Sequence, residues 1–251
     1  MGAQLALQVA LPAELYRLLL VLCRVSAALL LLPGYGDGGV PVRMRTMASL
    51  MMALCLAPQA GPATPVPESW AIIGAIGAES LVGALFGGLA RVIMSAVQTA
   101  GQIIGQCIGV SNIFTNGLGP DSSATLGAAI QAGCLAAIFA VGAHHTALRA
   151  VAESYTMFPL GTGPAVEAST RLVTETLGHA FRLGMQLSMP FLLMGLLFNI
   201  ALAGINRALP MVPVFMIGGP ALLLAGLHLL AATVPTLLGE TLGAYAGVFP
   251  R

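Results

Sequence analysis

The sequence contains no lysine and few charged residues of either sign. All ten cations are arginine, against nine acidic residues, and the net charge is +1. Without lysine the chain has neither the phosphate-binding residue of a P-loop nor a Schiff-base nucleophile. Without a block of basic residues it offers no obvious surface for nucleic acid. Phosphate-transfer chemistry on a P-loop and nucleic-acid binding are therefore not expected.

The shortage of charge coincides with an excess of apolar residues. Charged residues make up 8% of the chain and hydrophobic residues 57%, with a mean hydropathy of +0.92. Soluble proteins are about a quarter charged. Between Arg182 and Glu240 the only charged residue is Arg207, and a soluble domain of this length could not cover so many apolar side chains. The composition predicts a membrane protein.

Cysteine and histidine are too few and too scattered to suggest a metal site or a disulfide framework. The four cysteines, at positions 23, 55, 107 and 134, include no Cys-x-x-Cys pair, and no His-Glu-x-x-His motif is present. The string Gly34–Gly39 matches G-x-G-x-x-G, but it follows an apolar helix instead of a strand, so we interpret it as a turn. The sequence also lacks a Gly-x-Ser-x-Gly elbow. It predicts no enzyme, no cofactor and no bound metal.

Six apolar segments are long enough to form helices. Pro33 ends the first, and four prolines between positions 58 and 67 make a stiff connector. The stretch 144–182 is polar and predicted to face water. The pattern predicts an all-α polytopic membrane protein whose first helix is uncleaved, and five flanking arginines against three place both termini in the cytoplasm. The six segments are 15–32, 46–58, 69–110, 124–143, 183–206 and 210–239.

Two stripes of special residues run along the third segment. Gly101, Gly105 and Gly109 repeat every four residues, which allows another helix backbone to approach closely. Glutamines 98, 102 and 106 form a second stripe beside the glycines. Gln98, Gln102 and Gln106 are predicted either to form hydrogen bonds between helices or to line a wet pore.

Three charged residues lie inside apolar segments. Arg24, Glu79 and Arg91 would each cost about 2.5 to 3.5 kcal/mol if they faced lipid at the centre of a membrane helix. Each is therefore expected to face protein or water. Glu79 is open to two interpretations, a proton relay in a transporter or a structural ion pair with an arginine of another helix.

Several motifs follow one another along the chain. They begin with Arg24, Pro33-Gly-Tyr-Gly36, Arg45 and Pro58, and continue with Gly77, Glu79, Gly83, Gly87 and the stretch from Gln98 to Ser111. His144 and Glu153-Ser-Tyr-Thr-Met-Phe-Pro-Leu-Gly161 come next, then Pro190 to Asn199, Ala203-Gly-Ile-Asn-Arg-Ala-Leu-Pro210 and Gly219-Pro220. In this order they resemble the FliR family of flagellar type III export-gate proteins. The resemblance covers nearly the whole chain.

The resemblance implies a non-enzymatic subunit of the gate through which unfolded flagellar proteins leave the cytoplasm. It implies assembly with FliP-type and FliQ-type subunits into a helical funnel at the flagellar basal body, in the bacterial inner membrane. The whole chain, 1–251, would form one helical membrane domain with a FliP-like portion, 1–182, and a FliQ-like terminal hairpin, 183–251. Other membrane proteins of the export apparatus and the exported chains would be its further partners.

The resemblance also implies roles for individual residues. The loop at Val110, Ser111, Asn112, Ile113 and Phe114 matches the segment that helps to plug the family's pore, where a short apolar constriction can block ions by dewetting. Asn206 and Arg207, within the C-terminal motif, are expected to be buried polar residues.

Two other functions compete with the export gate. A proton- or ion-coupled small-solute transporter would explain Arg24, Glu79 and Arg91 in apolar surroundings. An injectisome counterpart of the same family would share the motifs and differ in the proteins it exports. Motility and effector secretion would separate the injectisome from the flagellar gate.

Overall fold

The computed structural model describes residues 2–62, 66, 69–109, 122–208 and 214–249. Throughout these ranges the regular structure is helical and no strand occurs, which confirms the predicted all-α class for the part of the chain described. Within the described ranges seven helices follow one another: α1 Gly2–Leu31, α2 Val42–Leu56, α3 Ser69–Cys107, α4 Ser122–Ala140, α5 His144–Met157, α6 Val166–Ala208 and α7 Val214–Gly247.

Glycine with a left-handed backbone conformation follows several of these helices. Gly34 (φ 85°) lies just beyond α1, Gly109 (φ 76°) beyond α3 and Gly142 (φ 78°) beyond α4. Only glycine adopts this conformation readily, so each of these positions ends its helix at little steric cost. Gly109 was predicted to continue the helical glycine stripe, and it instead lies past the end of α3 at Cys107.

The predicted polar stretch 144–182 is largely helical. It forms α5 and the first part of α6, which then continues to Ala208 over 43 residues. Pairs of residues four apart support such an exposed helix, and Arg171 Nε donates to Glu175 Oε1 at 2.9 Å. Pro190 lies inside α6, as membrane helices tolerate better than soluble ones.

Fewer helices than predicted are long and apolar enough to cross a membrane. Among the described residues three qualify, Trp70–Cys107, Val166–Ala208 and Gly218–Gly247, or four if the bent pair Leu126–Ala140 and His144–Met157 is a single span. Helix α2 has only 15 residues, about 22 Å of helix, which is less than a bilayer core of about 30 Å. The predicted count of six crossings is not confirmed.

The chain forms two compact units that do not follow its order. The first comprises Met1–Val92, Gly142–Thr176 and Ala246–Arg251, and the second comprises Ile93–Val141 and Leu177–Tyr245. Core side chains of the first include Val21, Val25, Ala28, Val82 and Phe86. In the second, Ile104, Ile108 and Phe191 form a fully buried cluster. The division at residue 182, which the resemblance implies, stays a prediction.

Candidate functional site

Helices α1 and α3 approach each other closely within the first unit because two glycines of α3 lack side chains. A Cβ atom added to Gly83 would lie 2.1 Å from the main-chain oxygen of Arg24. At Gly87 it would lie 2.5 Å from the oxygen of Ala28. Real Cβ atoms do not come this near to an oxygen, so only glycine permits the contact. Glu79 lies one turn before Gly83 on α3, and the close packing brings it within reach of Arg24.

Arg24 and Glu79 form a bidentate ion pair in the core of this unit. Arg24 Nε donates to Glu79 Oε2 at 2.6 Å, and Arg24 Nη2 donates to Glu79 Oε1 at 3.0 Å. Both side chains are 0% exposed. Parallel N–H···O bonds of this kind are among the strongest that side chains make, and they offset part of the cost of removing two charges from water.

The last turn of α5 and the segment that follows it supply further partners for both charges. Arg24 Nη1 donates to Ser154 Oγ at 3.1 Å, and Arg24 Nη2 donates to the main-chain oxygen of Phe158 at 2.9 Å. The main-chain N–H of Gly161 donates to Glu79 Oε1 at 2.7 Å. Because Gly161 has a φ of 79°, the chain turns there and presents this N–H to the carboxylate. Each charge thus has partners besides the other.

Aromatic rings cover the ion pair. The guanidinium carbon of Arg24 lies 4.1 Å from the centre of the Tyr155 ring, a cation–π contact that strengthens when water is excluded. The ring of Phe158 meets that of Phe86 edge to face, with their centres 6.4 Å apart. The contacts tie α1, α3, α5 and the turn 158–161 into one cluster, called the Arg24–Glu79 cluster below.

The geometry of this cluster favours a structural ion pair over a proton relay. A relay group must exchange protons with water or with a neighbouring titratable group, whereas Glu79 is fully enclosed and accepts three hydrogen bonds, two from Arg24 and one from Gly161. Among the described residues, no group of three His, Cys, Asp or Glu side chains converges to hold a metal ion. Holding helices together is the role that fits these contacts.

Arg91, which was expected to be buried, is exposed in the structure. Its side chain is 47% exposed, and Nη2 lies 3.4 Å from Asp37 Oδ1. Residues four apart on a helix drift by about 40° around its axis. Three such steps from Glu79 therefore turn position 91 to the edge of the α1 contact, where Arg91 Nη1 still donates to the main-chain oxygen of Leu31 at 3.4 Å. The apolar sequence around Arg91 does not reveal this drift.

The glycine and glutamine stripes of α3 lie partly against α4 in the second unit. A Cβ atom added to Gly101 would lie 2.7 Å from Gly127 Cα, and one added to Gly127 would lie 2.8 Å from the main-chain oxygen of Gln98. Gly105 is buried, Gln98 and Gln102 are half-buried, and Gln106 is exposed. The same drift of about 40° per step explains the change along the glutamine stripe.

The remaining expected residues are exposed or lie outside the described ranges. Asn206 and Arg207 are exposed, not buried as predicted, because they lie near the end of α6, beyond its last buried residue, Leu202. The five plug residues, Val110, Ser111, Asn112, Ile113 and Phe114, lie outside the described residues.

The partners of Arg24 and Glu79 on the α5 side were not identified from the sequence. Ser154, Tyr155, Phe158 and Gly161 all lie within the motif that resembles the family's polar segment, yet no role was assigned to any of them. The hydrogen bonds of Ser154 and Phe158 with Arg24 span 130 and 134 residues, and that of Gly161 with Glu79 spans 82. The only available signal was the presence of a motif in a stretch that otherwise looked like a connector.

Comparison with known proteins identifies related chains over almost the full length. The family model described as bacterial export proteins, family 1, matches residues 15–246. The flagellar biosynthetic protein FliR of Caulobacter vibrioides is 32% identical over 226 residues, which cover 88% of this chain and 89% of that protein. The FliR proteins of Escherichia coli and Aquifex aeolicus are 28% and 27% identical, over 85% and 88% of this chain and 82% and 86% of theirs.

These matches agree with the motifs and with the helical, apolar architecture. The matched region contains both partners of the buried ion pair and the turn that binds them. The chain therefore belongs to the bacterial export protein family 1, the family of the flagellar biosynthetic protein FliR.

Proposed function

We propose that this chain is a non-enzymatic subunit of the flagellar type III protein export gate. In this role it helps to form and seal the pore through which unfolded flagellar proteins cross the bacterial inner membrane. The family match over residues 15–246 carries the proposal. Because the similarity spans a comparable share of each relative, it concerns whole proteins and not a shared module.

The site geometry supports a structural role. The charged side chains at the centre of the first unit bind each other and the main chain, so they hold helices together. In the part of the chain that the structure describes, three helices are long and apolar enough to cross a membrane. A gate subunit needs these two properties, a fixed helical arrangement and an apolar exterior.

Exposed apolar side chains on α6 support assembly with other membrane subunits. Leu193 is 54% exposed, Leu196 58%, Leu197 67% and Ile200 61%. An apolar surface of this kind is covered by lipid or by another subunit. FliP-type and FliQ-type subunits are the partners that the family resemblance implies.

The segment Val110–Phe114 is proposed to take part in sealing the pore. A pore wide enough for a polypeptide would dissipate the proton gradient if it stayed open, and a short apolar constriction prevents this by dewetting. Ile113 and Phe114 are the large apolar side chains of the segment. Replacing both with serine is expected to raise proton leakage through the assembled gate, whereas replacing Ser111 with alanine is not. Equal proton leakage in the two variants would show that the segment does not contribute to the seal.

Co-assembly and motility together test the proposed function. The tagged chain is expressed with its neighbouring export-gate subunits, extracted gently from native membranes and weighed by native mass spectrometry. A stable hetero-oligomer containing this chain is expected, and a strain lacking the chain should lose motility and regain it on complementation. A chain that purifies only as a monomer or homodimer, in a strain that stays motile without it, would refute the proposal.

The transporter alternative predicts a different result. Purified alone in vesicles, a transporter would move a solute, and Glu79→Gln would abolish that transport while the chain stayed folded. The gate predicts no solute uptake by the chain alone. It also predicts that Glu79→Gln lowers the amount of folded chain, because the change removes a charge partner from buried Arg24.

A further inference from the structure

The first unit contains a cavity of about 650 Å³ between α5 and two loops. Its apolar walls include Ala60, Pro62, Ala152, Pro159 and Leu160, and Tyr155 also contributes to the lining. Cavities of about 300 to 1,000 Å³ with apolar walls and a few polar groups are typical binding sites. Neither the ion pair nor the helix contacts described above use this space.

Two arginines of α1 hold two parts of the cavity wall. Arg17 Nη1 donates to the main-chain oxygen of Gly61 at 3.1 Å, which fixes the loop that follows α2. Arg24 holds Phe158, directly before Pro159, through the bond to its main-chain oxygen. Arg17 and Arg24 are seven residues apart and lie on one face of α1. Walls held by the core in this way are preorganised, which lowers the free-energy cost of binding.

Two opposite charges of α5 line the cavity, and no residue that the structure describes pairs with either of them. Arg149 and Glu153 are both exposed lining residues. Neither side chain forms an ion pair or hydrogen bond with any of the residues the structure describes. Side chains four apart on a helix have Cβ atoms about 5 to 6 Å apart. In an extended chain, residues two apart lie on the same side about 6.6 Å apart, so such a chain can match both charges.

We infer that this cavity seats an extended segment of a neighbouring subunit of the export apparatus. The segment carries an acidic and a basic residue separated by one residue, and these pair with Arg149 and Glu153 respectively. The inference rests on the proposed function, since it takes its partner from the same assembly. Charge complementarity and the preorganised walls select a peptide segment of this pattern over a purely apolar helix.

Photo-crosslinking from inside the cavity tests the inference. A benzophenone amino acid replaces Thr156, which lines the cavity, in the full chain expressed with the other subunits. The matched control carries it at the adjacent Met157, which is 49% exposed and does not line the cavity. The Thr156 variant is expected to crosslink to one other subunit, within a peptide of the pattern acid-x-base or base-x-acid, and the Met157 variant is not.

Reversing the charge of Arg149, which lines the cavity, provides a second measurement. Arg149→Glu is expected to lower the yield of the Thr156 crosslink at least about tenfold, which is 1.4 kcal/mol of binding free energy. Arg171→Glu makes the same charge change on the exposed face of α6 and is expected to leave the yield unchanged. Both variants should co-purify with the other subunits in normal amounts.

The outcomes separate this inference from the proposed function. Suppose that the chain co-purifies with export-gate subunits. If the Thr156 variant then gives no crosslink, or crosslinks only within the chain or to an exported protein, the seating of a subunit segment is overturned and the gate function stands. A crosslinked peptide without paired charges also overturns the inference. If the chain co-purifies with no subunit, the proposed function itself fails.

Discussion

Arg24 and Glu79 form an ion pair with a fixed polarity. The main-chain oxygen of Phe158 accepts a hydrogen bond from Arg24, and the main-chain N–H of Gly161 donates one to Glu79. A carbonyl oxygen recognises only a donor, and an N–H recognises only an acceptor. The cation must therefore lie on α1 and the anion on α3, because the turn after α5 binds each of them separately.

Neutralising Glu79 is expected to destabilise the chain. Glu79→Gln leaves the charge of Arg24 without its counter-ion, and breaking one side of a buried pair typically costs about 3 to 5 kcal/mol. Thermal unfolding of the purified complex and the amount of chain in membranes report the loss. Glu175→Gln is the matched control, because it makes the same change in an exposed pair with Arg171 and should leave both measurements unchanged. Equal melting temperatures for the two variants would contradict a stabilising role of the buried pair.

Exchanging the two charges is not expected to restore stability. In the double variant Arg24→Glu/Glu79→Arg the ions could still attract each other. However, the new carboxylate would face the main-chain oxygen of Phe158, and the new guanidinium would face the N–H of Gly161. Two acceptors or two donors that face each other cannot form a hydrogen bond. In a buried site each unsatisfied group destabilises the fold by about 1 to 3 kcal/mol. Membrane abundance and motility are therefore expected to stay near those of the single variants, and full recovery would show that the main-chain contacts are dispensable.

Adding a methyl group to α3 is expected to destabilise the chain at Gly83 and not at Gly88. Gly83→Ala would place its Cβ 2.1 Å from the main-chain oxygen of Arg24, whereas Gly88→Ala would meet no atom within 4 Å. Forcing atoms into a packed contact costs about 1 to 3 kcal/mol. Gly88→Ala is expected to be neutral or to gain up to about 1 kcal/mol from helix propensity. The two variants are compared by the melting temperature of the complex. A similar decrease for both would mean that α1 and α3 do not pack as described.

The sequence predicted the helices better than it predicted their partners. Segment lengths and hydropathy are local properties, so the all-helical class and the apolar parts of α3, α6 and α7 follow from them, whereas the first part of α6 was predicted only as a polar stretch. The pairing of Arg24 with Glu79 joins residues 55 apart, and that with Ser154 joins residues 130 apart. No periodic pattern encodes such distances. The sequence therefore identified the two charges that required partners and left open which groups would supply them.

Composition also predicted six crossings, a count that is not confirmed, and the burial of some polar residues that the structure exposes. Helix α2 is apolar but short, and its length, not its hydropathy, keeps it from spanning a bilayer core of about 30 Å. Arg91 lies in an apolar stretch, yet its position around the helix axis exposes it. The first difference arises because hydropathy does not report where a helix ends, and the second because it does not report which face of a helix is covered.

The accessibility of two cysteines tests the packing of α4 against α7 within the second unit. Cys55 lies exposed on α2, whereas Cys134 on α4 is 1% exposed and its Sγ lies 3.9 Å from Thr241 Oγ1 on α7. In variants that keep one cysteine and replace the other three with alanine, a water-soluble maleimide is expected to label Cys55 at least about tenfold faster. Labelling of Cys134 requires local opening of the α4 and α7 contact, and 1.4 kcal/mol of opening free energy already gives a factor of ten. Denaturant should make the two rates equal. Equal rates in the folded chain would mean that α4 and α7 do not enclose Cys134, and the contact with Thr241 would have to be abandoned.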